Sequence, residues 1–183
     1  MFSSLVKDAC DIFSNKYRTH LPDEVNGCCE HFSLLFQAEN PQFSGKPLHL
    51  LGHRSCFPNR HHNYNDNGYP NPDKNFYHVM VYLDDNHIVD VTNKQLDTEG
   101  PPYRILNKEE VIAEWLVVAD DWDIIETILD ASELASVPGR EYYVKNCHVE
   151  LRECIDSGVL ILTGTENDNP WLEMLNKETT GIG

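Results

Sequence analysis

The feature that most constrains the fold of this chain is a pair of strand patterns joined by a short polar turn. The segments from Phe76 to Leu83 and from His87 to Val91 are rich in β-branched and aromatic residues. Asp84-Asp85-Asn86 separates them and lacks glycine. This pattern predicts an antiparallel β-hairpin. A two-stranded hairpin is only marginally stable alone, so the rest of the chain has to cover it.

Helical patterns lie on both sides of this hairpin. Apolar residues follow helical spacing from Ser3 or Ser4, and again from Cys28. After the hairpin, Asn107 and Glu110 have the spacing of a capping box, and the apolar face of the helix they begin extends to Leu116. Short strands are predicted at 47–53 and 158–162, and residues 141–156 fit a helix or a strand. This order predicts an α+β fold rather than alternating βαβ units.

The length of 183 residues corresponds to one domain. We assign residues 1–163 to a single α+β domain and residues 164–183 to a polar C-terminal tail that docks through Trp171. Residues 54–75 are rich in Asn, Pro, Asp, Gly and His. Loops of this length are uncommon in compact domains and are often functional.

The charge of the chain excludes some classes of partner. Fourteen basic and thirty acidic side chains give a net charge of −16. A field of that sign repels phosphate, so we expect neither nucleic-acid nor membrane binding. No apolar run approaches the roughly 18 residues of a membrane span, and the N-terminus lacks the order of a secretory signal. These features predict a cytoplasmic protein, and the sequence leaves its oligomeric state open.

A thiol at the start of a helix is the first candidate for chemistry. Cys28 and Cys29 follow Gly27 and begin the second helical pattern. Unpaired N–H groups and the helix dipole favour a thiolate at such a position, which suits a cysteine nucleophile. An ordinary buried thiol is the structural alternative.

A histidine and an aspartate on the hairpin complete a possible relay. His78 lies on the first strand, and Asp90 lies on the second strand, directly opposite His78 or one pair away. A carboxylate at that position can fix the imidazole tautomer and stabilise the imidazolium that forms when a thiol loses its proton.

The motif Gly27-x-Cys29-Glu30-x-Phe32-Ser33-x-Leu35 resembles the nucleophile helix of the transglutaminase-like superfamily, within the wider papain-like group. His78-Val79-Met80-Val81 is similar to its histidine strand, and Val89-Asp90-Val91-Thr92 to its aspartate strand. The resemblance covers roughly residues 20–97. Met80 stands where the family often has tryptophan, and Val91 replaces a proline.

The resemblance implies a papain-like α+β fold and a cysteine hydrolase or acyltransferase that acts on an amide bond. Cys29 is then the nucleophile, His78 the general base and Asp90 the residue that orients it. Cys28, Asn26 and His20 are auxiliary candidates, the last two as oxyanion donors beside the Cys29 N–H. No cofactor is required, and we expect a protein or peptide substrate. In its most specific form, we expect an enzyme that is delivered to or expressed in a host cell and that deamidates or cleaves a protein there.

Two alternatives come from other functional classes. The chain could keep the fold without catalysis and bind a protein partner. It could also be a zinc-stabilised interaction domain, because His and Cys are zinc ligands. The candidate ligands for that site are His49, His53, Cys56, His61 and His62.

Overall fold

The computed structural model describes residues 1–53 and 75–177, apart from the side chains of His53 and Asn75. These residues form seven α-helices: α1 (Phe2–Tyr17), α2 (Pro22–Val25), α3 (Cys29–Glu39), α4 (Lys108–Glu114), α5 (Trp122–Leu134), α6 (Glu141–Ser157) and α7 (Pro170–Lys177). They also form six strands: β1 (Lys46–His53), β2 (Asn75–Asp84), β3 (His87–Asp90), β4 (Arg104–Leu106), β5 (Val117–Ala119) and β6 (Leu160–Leu162). Within the described ranges, no helix is long and apolar enough to cross a membrane.

The six strands make one antiparallel sheet in the order β4-β3-β2-β1-β5-β6. The predicted hairpin is confirmed as β2 and β3, with its turn at Asp85 and Asn86. The predicted α+β class is therefore correct. Residues 54–74 of the predicted loop lie outside the described residues, and Asn75 begins β2.

Helices cover both faces of the sheet. Because side chains alternate along a strand, His78, Met80 and Ile88 share one face, which packs under Val111 of α4 and Trp115. The other face carries Val81 and Val89 under α1 and α3, and Leu51 and Val117 under α5, α6 and α7. The central strands are thus buried on both sides.

The capping box is confirmed at the start of α4. The Asn107 side chain accepts the Glu110 N–H at 2.9 Å, and the Glu110 carboxylate accepts the Asn107 N–H at 2.8 Å. The helix ends at Glu114, earlier than its apolar pattern predicts. Leu116 instead donates its N–H to the Leu51 carbonyl at 3.1 Å, because the β-branched segment that follows joins the sheet as β5.

The C-terminal segment packs on the domain through α7. Trp171 and Leu175 are each only 2% exposed and belong to the core between α5 and α6. Asn169 precedes the helix and is fully buried. Its amide donates to the carbonyls of Leu116 and Thr163 at 2.9 Å, and its oxygen accepts the Trp171 N–H at 3.0 Å. One side chain thus caps α7 and fixes it to the sheet.

We expect Asn169→Ala to lower the free energy of unfolding by about 2–4 kcal/mol, because a lost cap costs roughly 1 kcal/mol and each unpaired buried polar group costs 1–3. Urea unfolding monitored by tryptophan fluorescence measures this. Asn176→Ala is the matched control, since Asn176 is half-buried and donates to the exposed Glu166 carboxylate, and losing such a hydrogen bond costs about 0.5–1.5 kcal/mol. Equal effects of the two substitutions contradict the assignment of Asn169.

Candidate active site

The candidate nucleophile lies at the first position of α3. Gly27 precedes it with a φ of 70°, a left-handed conformation that favours glycine and turns the chain into the helix. Cys29 is the first residue of α3 and is 5% exposed. One turn later, the Ser33 hydroxyl donates to the Val79 carbonyl of β2 at 3.1 Å. This bond holds the start of α3 against the strand that carries His78.

The Cys29 thiol lies beside His78 and interacts with it electrostatically. Burial alone would raise the pKa of Cys29, but the neighbouring His78, together with the Val79 backbone, holds it below its ordinary value. The position at the start of a helix acts in the same direction. The environment therefore favours a thiolate at Cys29.

His78 faces Asp90 on the neighbouring strand. Both side chains are fully buried, and Nε2 of His78 lies 3.1 Å from Oδ1 of Asp90, which is an ion-pair contact. Val81 pairs with Val89, so the register carried one pair further sets Asp90 opposite Met80 and diagonal to His78. Since Nε2 faces Asp90, Nδ1 is the nitrogen left for the thiol.

The pKa of His78 is raised and the pKa of Asp90 is lowered, so that both groups are charged near neutral pH. Burial would lower the pKa of His78, but Asp90 and the Cys29 thiol together raise it to about 10. Burial would raise the pKa of Asp90, but His78, the Thr92 backbone and Arg104 hold it below its usual range. A protonated imidazole between two acidic groups is the favoured state.

Thr92 and Arg104 hold the carboxylate from two sides. Oδ1 of Asp90 accepts the Thr92 N–H at 3.0 Å and lies 3.4 Å from the Thr92 hydroxyl. Arg104 pairs with Asp90 across β3 and β4 and binds Glu114 through two contacts of 2.8 and 2.6 Å. The guanidinium is therefore fixed in place near the buried carboxylate.

The His78 ring stacks on two aromatic side chains, Phe76 of β2 and Trp115, which directly follows α4. The Trp115 indole is fully buried and lies parallel to the imidazole, with the ring centroids 5.6 Å apart and the planes at 5°. Phe76 stacks on both rings, at 6.3 Å from His78 and 5.8 Å from Trp115. An aromatic face stabilises a nearby cation. Trp115 therefore fixes the ring plane and favours the imidazolium.

The structure brings Cys29, His78 and Asp90 together. The Cys28 thiol turns to its own loop, where it contacts the Asn26 carbonyl at 3.4 Å. The side chains of Asn26 and His20 are both exposed. The N–H of Cys29 has no partner within its helix, as for any first helical residue, and is an available oxyanion donor.

An aromatic cluster flanks the relay on the opposite sheet face. Nδ1 of His49 lies 2.8 Å from the Tyr77 hydroxyl, and the Tyr77 ring meets Trp122 edge-on at 4.7 Å. Burial, with the charges of Glu30 and Cys29, raises the pKa of Tyr77, so the phenol stays protonated. His49 is one of the candidate zinc ligands, and its Nδ1 contacts Tyr77.

The other zinc candidates, Cys56, His61, His62 and the side chain of His53, lie outside the described residues. Within the described ranges, no three His, Cys, Asp or Glu side chains form a group that could hold a metal ion.

Sequence patterns missed the supports of the relay, Arg104, Glu114 and Trp115. Arg104 lies on a strand of only three residues, and Trp115 lies just after the end of a helix whose pattern continues past it. The bond from the Thr92 N–H to Asp90 is of a kind that sequence can indicate, because aspartate side chains commonly accept a backbone N–H two residues further along the chain.

Comparison of the chain with protein-family models, curated proteins and solved structures finds no significant match. The interpretation of the site therefore depends on its geometry and on the motifs of the sequence.

We expect Trp115→Leu to lower the pKa of His78 and raise the apparent pKa of Cys29, because the imidazolium loses an aromatic face. Cation–π contacts are worth about 0.5–2 kcal/mol, or roughly one pKa unit. The iodoacetamide labelling rate of Cys29 against pH, resolved by mass spectrometry, measures this shift. Trp115→Phe keeps an aromatic ring and is the control. If the two folded variants show the same labelling rate of Cys29 at every pH, Trp115 does not influence the His78 imidazolium.

Proposed function

We propose that the chain is a cysteine-dependent hydrolase or acyltransferase that acts on amide bonds, with a transglutaminase-like variant of the papain-like fold. The observation that carries the proposal is the buried relay in which an imidazole contacts a carboxylate and interacts electrostatically with a thiol at the start of a helix. The antiparallel sheet and the order helix, histidine strand, aspartate strand are compatible with that fold.

The roles of the residues follow from the relay. The Cys29 thiolate attacks the carbonyl carbon of a carboxamide, and the imidazolium of His78 then donates its proton to the leaving nitrogen. The carbon–nitrogen bond breaks, an amine or ammonia leaves, and a thioester remains on Cys29. His78 next takes a proton from water or from an amine, which attacks the thioester and releases the thiolate. Asp90 keeps the imidazole oriented throughout.

The developing oxyanion needs donors at the start of α3. The N–H of Cys29 supplies one, and the helix dipole adds positive potential at the same point. Of the sequence-based candidates, Asn26 is nearer in the chain, but its side chain is exposed, and its carbonyl contacts Cys28. The backbone therefore carries this role in the proposal.

We propose a protein or peptide substrate for a protein that acts in the cytoplasm, either its own or that of a host cell. The net charge of −16 favours substrates with basic segments, since a field of one sign attracts ligands of the opposite sign. Peptidase, deamidase and transglutaminase activities share the thioester and differ in what leaves and what attacks.

A second candidate function is a protein-binding module without catalysis. The observation that favours it is the 5% exposure of Cys29, because a nucleophile has to reach its substrate. The two functions differ in one measurable property, which is the reactivity of this thiol near neutral pH.

For the enzyme, we expect Cys29 to react with iodoacetamide at its full rate well below pH 8, because a thiol with lowered pKa is already a thiolate there. In His78→Gln the thiolate loses its partner, and the apparent pKa rises to about 8.5 or above. At pH 6.5 such a thiol is about 1% thiolate, so the rate falls roughly 100-fold. Labelling rates are read by mass spectrometry between pH 5 and 9.

Two controls belong to this experiment. Cys28 is the half-buried neighbouring thiol in the same peptide, and His31→Gln removes an exposed histidine from the same helix. Neither should show the shift. If Cys29 in the folded wild type titrates like Cys28, or is unreactive at every pH, the enzyme is excluded and the binding module remains.

The type of amide reaction is tested with a glutamine- and lysine-rich protein such as β-casein, with and without a labelled primary amine. We expect wild type to convert carboxamides, cleave peptide bonds or incorporate the amine, and Cys29→Ala to do none of these. Mass spectrometry of the products separates the three reactions. Conversion by Cys29→Ala at the wild-type rate contradicts a cysteine mechanism.

A further inference from the structure

A second chain of nucleophile, base and carboxylate lies at the start of α1, outside the Cys29 site. The Ser3 hydroxyl lies 2.7 Å from Nε2 of His87, and Nδ1 of His87 lies 2.8 Å from Oδ1 of Asp84. Asp84 ends β2 and His87 begins β3, so the hairpin turn holds the base and the carboxylate together. The connectivity is that of a Ser-His-Asp triad.

The carboxylate sets the direction of this hydrogen-bond chain. Asp84 also accepts the Asn86 N–H at 2.8 Å. Burial would raise the pKa of Asp84, but the hydrogen bonds from His87 and Asn86 hold it below its usual range, so it is ionised. An ionised Asp84 accepts the proton of Nδ1, and Nε2 is left to accept the hydroxyl proton of Ser3. Nε2 thus faces the nucleophile as a base.

The surroundings of Ser3 leave its hydroxyl accessible to a substrate that arrives from solvent. Ser3 is exposed, whereas the His87 side chain is only 14% exposed. The Phe2 ring meets His87 edge-on at 4.9 Å and shields one side of the imidazole. Ser3 is the second residue of a 16-residue helix, whose first N–H groups have no intrahelical acceptor and can stabilise an oxyanion.

An apolar groove begins next to this triad. Phe2 also packs edge-on against Phe43 at 5.6 Å. Phe43 lines a groove of about 320 Å³ along α1, together with Leu5, Ala9 and Ile12, and polar side chains, including Asp8 and Glu39, border it. Leu5 and Ile12 are 52% and 68% exposed, so the groove presents aliphatic side chains to solvent. A small apolar acyl group fits this chemistry.

We propose that Ser3, His87 and Asp84 form a second acyl-transfer site, which takes esters with an apolar acyl group. The Ser3 oxygen attacks the ester carbonyl carbon while His87 takes the hydroxyl proton. The carbon–oxygen bond to the alcohol breaks, and His87 returns the proton to the alcohol. Water then attacks the acyl-serine while His87 takes its proton, the acyl–oxygen bond to Ser3 breaks, and His87 returns the proton to the Ser3 oxygen as the carboxylic acid leaves. This site is independent of the function proposed for Cys29.

The test uses Cys29→Ala, in which the thiol contributes nothing, and two probes: a fluorophosphonate, with labelled serines mapped by mass spectrometry, and p-nitrophenyl butyrate. Ser4 is the internal control, because it is exposed and bonds to the Met1 carbonyl instead of a histidine. We expect Ser3 to be labelled about 100-fold faster than Ser4, the contribution typical of a positioned base. Butyrate hydrolysis should disappear in Ser3→Ala.

The supporting residues are tested in the same background. His87→Ala should reduce Ser3 labelling to the rate of Ser4, and Asp84→Asn should reduce it in part. Asp84→Asn also decides the question if His87→Ala fails to fold, as judged by circular dichroism, because the Asp84 side chain is 46% exposed. Equal labelling of Ser3 and Ser4 in the folded protein overturns the proposal, as does a Ser3 rate that neither substitution changes.

Discussion

The contact between His78 and Asp90 is the interaction on which the rest of the structure depends. Both side chains are fully buried, and two buried charges carry a desolvation cost that their mutual attraction repays only with good geometry and further partners. The fold supplies those partners from three places. Thr92 bonds to the carboxylate, Arg104 adds a positive charge from the next strand, and Trp115 covers the imidazole.

These supports explain the arrangement of the elements around the hairpin. Strand β4 brings Arg104 beside Asp90. Helix α4 ends at Glu114, which binds Arg104, and the next residue, Trp115, stacks on His78. A single short segment, 104–115, therefore supports both members of the pair. On the other side of the relay, Ser33 fixes α3 to β2, so the thiol, imidazole and carboxylate are each held by a separate element.

The sequence predicts the parts of this site that depend on local patterns. The hairpin, the capping box at Asn107 and the helix start at Cys29 each follow from residues close together in the chain. The supports were not predictable in this way. Arg104 and Trp115 act through contacts with residues distant in sequence, and the strands β4 and β5 have only three residues each, too few to show a period. The choice of Cys29 rather than Cys28 rests on family spacing, and Cys29 is also the thiol that interacts with His78.

The burial of this pair bears on whether the relay is structural or catalytic. Where a buried ion pair serves stability alone, apolar side chains of the same volume often do as well or better. Yet His78 and Asp90 lie in a sheet whose neighbouring positions, such as Met80 and Ile88, are fully apolar. The sequence keeps two costly groups there, beside a thiol whose pKa is lowered by His78. In the proposed enzyme each part of that combination has a role, because a cysteine nucleophile needs a base and a group that orients the base.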